Sequence, residues 1–397
     1  MTESRVAALD GVRVVEVGNF MAVPFCGMQL ADLGAEVIKV ENPHGGDLTR
    51  GAGPFIDGES SPFVRLNRSK RSVALDLKAA AGKALFRRLV ATADVLIENL
   101  RPGTMRGLGL GYETLAAQQP RLVYLAATGF GSDGPYAGRA GLDIIAQGMS
   151  GLMSVTGEPG GAPVKVGVPI ADLSCGLYAT IAVLAALRAR DRDGRGQFID
   201  VSLLESAVSF GVWEAGRYFA TGEVPQASGS AHGSIAPYQA VRASDGWFTF
   251  GANSPEHWRR ACAVLDTLPL LDDPRFTTNA LRMQNRSALV AAIEAVTATR
   301  PGAAWLERFE ATGIPCGPIW SFDRVFADEH LAARGFFVDA THPTLGSVRQ
   351  LGSPMRLAET PVRIERAGPL LGADTADVLR GIGATADEIA ALAEVAR

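Results

Sequence analysis

Residues 12–41 read VRVVEVGNFMAVPFCGMQLADLGAEVIKVE. The first seven of them, VRVVEVG, are mostly β-branched and end in Gly18, which predicts a short buried strand. Residues 24–33 follow with helical character and are closed by Gly34. Residues 36–41 (EVIKVE) return to strand character. A strand, a helix and a strand in that order predict a parallel pair joined by a crossover. Ligands of such sheets bind beyond the carboxyl ends of the strands, so residues 19–24 form a candidate binding loop. The loop contains no GxGxxG, so the dinucleotide fingerprint is absent.

The same rhythm extends outward. Strands are expected over residues 72–77, 94–99, 122–128 and 196–202. Helices are expected over 80–93, 142–153, 173–190 and 203–220. Strand ends run into glycine-rich or basic loops, LRPGTMRGLG at 100–109 and GFGSDGPYAGRAG at 129–141. An α/β sheet gathers such loops on one edge. Arg101, Arg106 and the basic knot at 67–71 (NRSKR) are candidate anion contacts, though the knot reads equally well as a solvated basic turn. The rhythm stops near Gly222. Residues 223–235, rich in Gly, Ser and Pro, read as a linker or lid. A hairpin (238–241 and 247–251) and helical patterns at 255–265, 285–297 and 301–311 then describe a smaller α+β domain. Residues 313–318 (GIPCGP) read as a rigid turn, and a second hairpin is expected near Gly346. The expected division is a large α/β domain over 1–222, a small α+β domain over 223–325, and a linker with terminal helices over 326–397 that returns to the large domain.

Composition narrows the classes. A chain of 397 residues with 47% hydrophobic and 20% charged content is an ordinary globular protein of two or three domains. Its 45 glycines exceed the usual share of about 7%. A net charge of −4 argues against nucleic acid or an anionic membrane as the main partner. Cys26, Cys175, Cys262 and Cys316 have no paired spacing, and the five histidines form no HExxH. Reduced thiols, no metal and a cytoplasmic setting are expected. No apolar signal core and no membrane-spanning run are evident.

One carboxylate stands out. In residues 162–176 (APVKVGVPIADLSCG), Asp172 lies between an extended Gly/Pro run and a long apolar helical run. Unpaired N–H groups and the helix dipole favour an anion there. An ionised, partly desolvated carboxylate at such a point is a candidate nucleophile. The plainer reading is that Asp172 only caps the helix. With no Walker motif, GxSxG or Cys-His signature in competition, these residues point to acyl or phosphoryl transfer from a phosphate-bearing carrier.

Along nearly its full length the chain resembles the class III (CaiB/BaiF-type) CoA-transferases. The resemblance rests on LDGVRVVEVG, LGAEVIKVE, NRSKRSVALDLK, ADVLIENLRPGTMRGLGL, GFGSDGPYAGRAGLDIIAQGMSG, VGVPIADLSCGLYA, GRGQFIDVSLLE, GIPCGP and GPLLGAD, in that order. It implies a Rossmann-like large domain, a smaller domain with long linkers, and an interlocked homodimer. Coenzyme A is then a substrate, with no tightly bound cofactor, and a small carboxylic acid is the acceptor. The resemblance places the catalytic aspartate on Asp172, which would pass through a mixed anhydride and an aspartyl-CoA thioester. It places CoA contacts on Met21, Ala22, Asn42, Leu75, Asp76, Leu77, Lys78, Asn99, Leu100 and Arg101. Arg106 stands beside Gly107, where some members carry an arginine for the 3′-phosphate. Asp143 matches an acidic position near the thiol end.

The loop set looks more like the succinyl-CoA and dicarboxylate members than the oxalate ones. Arg139 and Arg217 are candidate cations for an acceptor dicarboxylate. The related α-methylacyl-CoA racemases carry a His before the Asp of a GHD motif. Here the motif is GLD, with Leu142 in that place, and leucine cannot move a proton. A non-catalytic acyl-CoA-binding relative would share the loops, but the presence of Asp172 counts against it. A nucleotide-dependent oxidoreductase would share the sheet, but the missing GxGxxG counts against it.

Overall fold

The structure is a computed structural model and describes residues 6–395. The chain forms two compact units. One comprises Met1–Leu152, Lys165–Phe219 and His330–Arg397, and the other comprises Met153–Val164 and Ala220–Glu329. Met153–Val164 therefore groups with the second unit, although it precedes the expected boundary at 222.

The first unit is built on six parallel strands: β1 (Arg13–Val17), β2 (Glu36–Glu41), β3 (Arg71–Ala74), β4 (Val95–Glu98), β5 (Val123–Thr128) and β6 (Phe198–Ser202). Their order across the sheet is β3-β2-β1-β4-β5-β6. This is the order of doubly wound α/β sheets, and the expected Rossmann-like α/β fold is present. The order reverses between β1 and β4. The loops leaving these two strands, at Gly18–Met21 and Asn99–Arg101, therefore flank the crevice where such sheets take ligands.

Apolar clusters cover both faces. One joins Val14, Val37, Val95 and Val123 to two helices, α1 (Ala22–Asp32) and α4 (Ile170–Asp193). The other joins Val15, Ile38, Leu96 and Tyr124 to α2 (Ala80–Ala91) and to Val378, Leu379 and Ala384 near the C-terminus. Alternate residues of each strand thus serve opposite layers, as the period of two requires. Helix α4 is longer than the expected 173–190. By length and apolarity alone it would suffice to cross a membrane. Instead Ala171, Cys175, Ala179 and Val183 belong to the core of this unit.

Other expectations shift locally. The helix expected over 142–153 is α3 (Asp143–Met149) followed by the short turn Leu152–Val155. The helix expected over 203–220 breaks into Leu203–Ser209 and Val212–Thr221. The C-terminal segment docks beside β3. Asp374 accepts from Ser72 N at 2.9 Å, and Thr375 Oγ1 accepts from Ala74 N at 3.0 Å. The hairpin Phe337–His342 and Gly346–Leu351 packs on Phe63 and Val64.

The second unit has a three-stranded antiparallel sheet, with Gly246–Gly251 between Tyr238–Ala243 and Cys316–Pro318. The expected turn at 313–318 therefore supplies a strand. Trp258, Phe248, Phe250, Trp305 and Phe309 fill the core of this unit.

Candidate active site

Asp172 stands in the first turn of α4, behind Pro169. Pro169 contributes no side-chain cap, and Asp172 does not cap its own helix. The cap comes from another helix. Asp143 Oδ1 accepts from Ala171 N at 2.9 Å and from Asp172 N at 3.4 Å. Asp143 Oδ2 accepts from Gln147 Nε2 at 2.7 Å, one turn along α3. Gln147 Oε1 in turn accepts from Val166 N at 2.9 Å, which fixes the extended approach to α4. Asp143, expected near the thiol end of CoA, thus holds the backbone that carries Asp172.

This arrangement leaves the Asp172 carboxylate unspent. Among the described residues it accepts no hydrogen bond. Burial, reinforced by the nearby Asp143 charge, pushes its pKa up to about 7. The helix dipole favours the anion. Desolvation and like charge oppose it and win. Near neutral pH the group is therefore poised between its ionised and protonated forms.

Helix α1 lies against α4 at one small residue. A Cβ on Gly176 would come within 2.7 Å of the Ala22 carbonyl oxygen. Gly176 is one helical turn beyond Asp172, so its missing side chain lets the start of α1 approach the start of α4. Met21 and Ala22 stand at that start, with Met21 as N-cap and Ala22 buried. The loop before them is tied by Asn99, which accepts from Asn19 N at 2.9 Å and donates to Asn19 O at 2.8 Å. Asn99 thereby joins the loops after β1 and β4, the two that flank the sheet's reversal point.

Beneath these loops lies an ionic network of side chains with no solvent exposure. Lys39 Nζ pairs with Glu16 at 2.7 Å and Asp47 at 2.8 Å, and donates to Gly18 O at 2.8 Å. Lys70 Nζ pairs with Glu16 at 2.7 Å and donates to Pro24 O at 2.8 Å. Burial lowers Lys39, but its carboxylates overcome this and push it up to about 12. For Lys70 burial wins, lowering it to about 8. Glu16 and Lys39 face each other in the β1–β2 register. Sequence reasoning missed them. The available signal was a charge inside each of two otherwise apolar strands, VVEV and VIKV.

The same geometry corrects the reading of the basic knot. Asn67, Arg68 and Lys70 are buried. Arg68 pairs with Asp32 at 2.6 Å. Arg71 pairs with Glu36 at 2.9 Å and Asp374 at 3.3 Å. Arg68 and Lys70 are thus spent inside the protein, and Arg71 is paired at its edge.

The remaining expected CoA contacts divide by exposure. Asn42, Lys78, Arg101 and Arg106 are exposed, while Asp76, Leu77, Asn99 and Leu100 are partly buried. Leu75 is buried in the core, so its side chain cannot serve a ligand. Asp76 Oδ1 accepts from Lys78 N at 2.8 Å and shapes that turn. Asn42 Oδ1 accepts from His44 N at 2.9 Å. Arg106 reaches Glu113 at 3.3 Å. Glu98 Oε2 accepts from Leu100 N at 2.7 Å, and burial pushes Glu98 up to about 7. With Tyr124, Met105 and Phe198 it lines a cavity of about 220 Å³ that does not include Asp172.

The thiols offer no competing nucleophile. Burial pushes Cys26, Cys175 and Cys262 up to about 12. Among the described residues no group of three His, Cys, Asp or Glu could hold a metal ion.

Comparison with known proteins agrees with this geometry. The family model for CoA-transferase family III matches residues 9–375. A succinyl-CoA:glutarate CoA-transferase of Mus musculus is 41% identical over 375 residues, covering 94% of this chain and 86% of the relative. A succinate–glutarate CoA-transferase of Agrobacterium fabrum is 41% identical over 383 residues, covering 95% and 96%. The crystal structure of a CaiB/BaiF family protein from Brucella suis superposes with a TM-score of 0.86 at 40% identity, covering 95% of this chain and all of that one. A match of this length, with relatives of this identity, shows that the chain belongs to CoA-transferase family III and is an enzyme of that family.

Proposed function

We propose that this enzyme takes CoA from succinyl-CoA and delivers it to glutarate or a closely similar dicarboxylate, through covalent intermediates on Asp172. One observation carries the chemistry. Asp172 presents a half-buried carboxylate that accepts no hydrogen bond from the described residues, at the positive end of a helix held by Asp143. The substrates are proposed from the relatives, which include transferases for glutarate, citramalate and mesaconate.

The steps balance in atoms and charge. An Asp172 oxygen attacks the succinyl-CoA carbonyl carbon. The C–S bond breaks, leaving a mixed anhydride and CoA thiolate. The thiolate attacks the Asp172 carbonyl carbon and expels succinate, which leaves an aspartyl-CoA thioester. A glutarate carboxylate attacks the same carbon and releases the thiolate. That thiolate then attacks the glutaryl carbonyl, forming glutaryl-CoA and restoring the Asp172 carboxylate. Each stage exchanges one activated acyl group for another, so no single step carries the whole barrier. Burial around Asp172 favours this route because water would hydrolyse the anhydride. Arg139, whose guanidinium lies 4.7 Å from the Tyr136 ring, is a cation available for the far carboxylate of the acceptor. Leu142 has no titratable proton, which supports transfer over racemisation.

The working form is proposed to be a homodimer. Leu177 and Ile181 on α4, with Ile144, Ile145, Val208 and Val212, leave large apolar side chains exposed on the first unit. An apolar face of this kind is what a second subunit covers. Light scattering should give twice the chain mass, and Ile181→Asp should lower it.

The decisive experiment is intact-protein mass spectrometry after succinyl-CoA and hydroxylamine. Trapping should add a hydroxamate to Asp172 in the wild type and not in Asp172→Ala. Glutarate added before hydroxylamine should diminish the adduct and yield glutaryl-CoA. Labelling at another residue, or glutaryl-CoA formation by Asp172→Ala, would overturn the reading.

A further inference from the structure

The second unit contains a cavity of about 600 Å³, lined by Ile235, Pro255, Trp258, Leu271, Thr277 and Arg282 among others. Arg282 is only 4% exposed. Its Nε donates to Ala236 O at 2.6 Å and its Nη1 to Phe276 O at 3.0 Å. Its Nη2 donates to no group among the described residues. Its guanidinium carbon lies 5.2 Å from the Trp258 ring centre. No carboxylate among the described residues pairs with it, and burial lowers its pKa from the ordinary arginine value. A buried cation without a counter-charge is costly, and a fold that needed only two carbonyl contacts could make them with a neutral donor.

Most other polar groups on the wall are engaged, while Trp258 Nε1 is a neutral donor without an acceptor among the described residues. Ser254 Oγ accepts from His257 N, and Thr278 Oγ1 accepts from Leu281 N. Asn279 accepts from Ala236 N and donates to Ser234 O. Arg259, also on the wall, pairs with Glu256. The wall therefore offers one uncompensated positive charge set among Ile235, Pro255, Trp258 and Leu271. Its volume lies within the range of small-molecule sites, and such sites pair a largely apolar lining with few polar anchors.

We propose that this cavity binds a small organic monocarboxylate, with its anionic end at Arg282 and its apolar body against Trp258 and Leu271. A planar or short aliphatic body fits the lining, and a single unpaired cation matches a single negative charge. This inference does not depend on the identity of the CoA donor or acceptor.

The test uses the full chain and 4-azidobenzoate as a photolabel, with and without excess benzoate. Peptide mass spectrometry should place benzoate-protected label within residues 235–282. Leu271→Trp, which fills the cavity and leaves both Arg282 carbonyl bonds in place, should cut that label about ten-fold. Arg282→Met should do the same, consistent with losing one charge-assisted hydrogen bond. Circular dichroism checks that each variant is folded. If Arg282→Met does not fold, Leu271→Trp decides alone. Protected label found only outside 235–282, or undiminished in folded Leu271→Trp, would overturn the proposal.

Discussion

Asp143 Oδ1 accepts the backbone N–H of Asp172 at 3.4 Å and that of Ala171 at 2.9 Å, so one carboxylate anchors the helix end on which the other stands. The two acids also repel. The Asp143 charge is one of the two causes, after burial, that hold the Asp172 pKa near 7. One residue therefore sets both the position of the proposed nucleophile and part of its titration.

The first consequence is a pH profile. In the proposed mechanism the attacking form of Asp172 is the carboxylate, so kcat/KM should fall below about pH 7, with a limiting log slope of one. Asp143→Asn keeps an oxygen for the Ala171 N–H and removes the charge. Its acid limb should move to lower pH. Initial rates between pH 5 and 9 check both, and an unmoved limb in Asp143→Asn would remove Asp143 from the account.

Stability should respond with the opposite sense. The folded pKa of Asp172 lies above its unfolded value near 3.8, so the folded state binds the extra proton between pH 4 and 7. That stabilisation is fully present below the unfolded pKa and is lost as pH rises through the folded one. A shift of this size corresponds to about 4 kcal/mol at most. Asp172→Asn should therefore be more stable than wild type at pH 8, by about 1–3 kcal/mol after relaxation, and about equally stable at pH 4. Thermal melts at the two pH values measure it.

Lys39 neutralises Glu16 and Asp47 where neither meets solvent. Lys39→Met leaves two buried carboxylates short of a cation and should cost about 3–5 kcal/mol in urea unfolding. Replacing Glu16 by Gln as well should cost less than the sum of the two single changes. Additive costs would mean that the pair does not act as a unit.

Arg68 and Arg101 should separate stability from binding. Arg68 is buried against Asp32, and Arg68→Ala should lower the melting temperature sharply, with KM for acyl-CoA little changed in the protein that remains folded. Arg101 is exposed at the end of β4, and Arg101→Ala should raise KM with an unchanged melt. The reverse pattern would return the basic knot to the binding surface.

The strands and most helices were legible because their signals are local. VRVVEVG and EVIKVE have the β-branched runs of buried strands, and they form β1 and β2 within a residue of the expected ends. GIPCGP has the composition of a turn. It becomes a strand because Cys316–Pro318 pairs with Phe248–Phe250, residues far away in sequence. The basic knot misled for the same reason. Its partners Asp32, Glu16 and Asp374 lie on other elements, and exposure cannot be read from a cluster of cations alone.

From the sequence by itself came the α/β class, the order of the elements, the loops that end the strands, and Asp172 at a helix start. Periodicity, turn residues and the order of short motifs act over a few residues, so they survive without coordinates. Tertiary structure alone decided which charges are spent and which are free. It buried Arg68 and Lys70, set Glu16 against Lys39, and brought Asp143 to the backbone of Asp172. Coulomb energy and desolvation depend on distances between elements and on exclusion of water, and both exist only once the chain has folded.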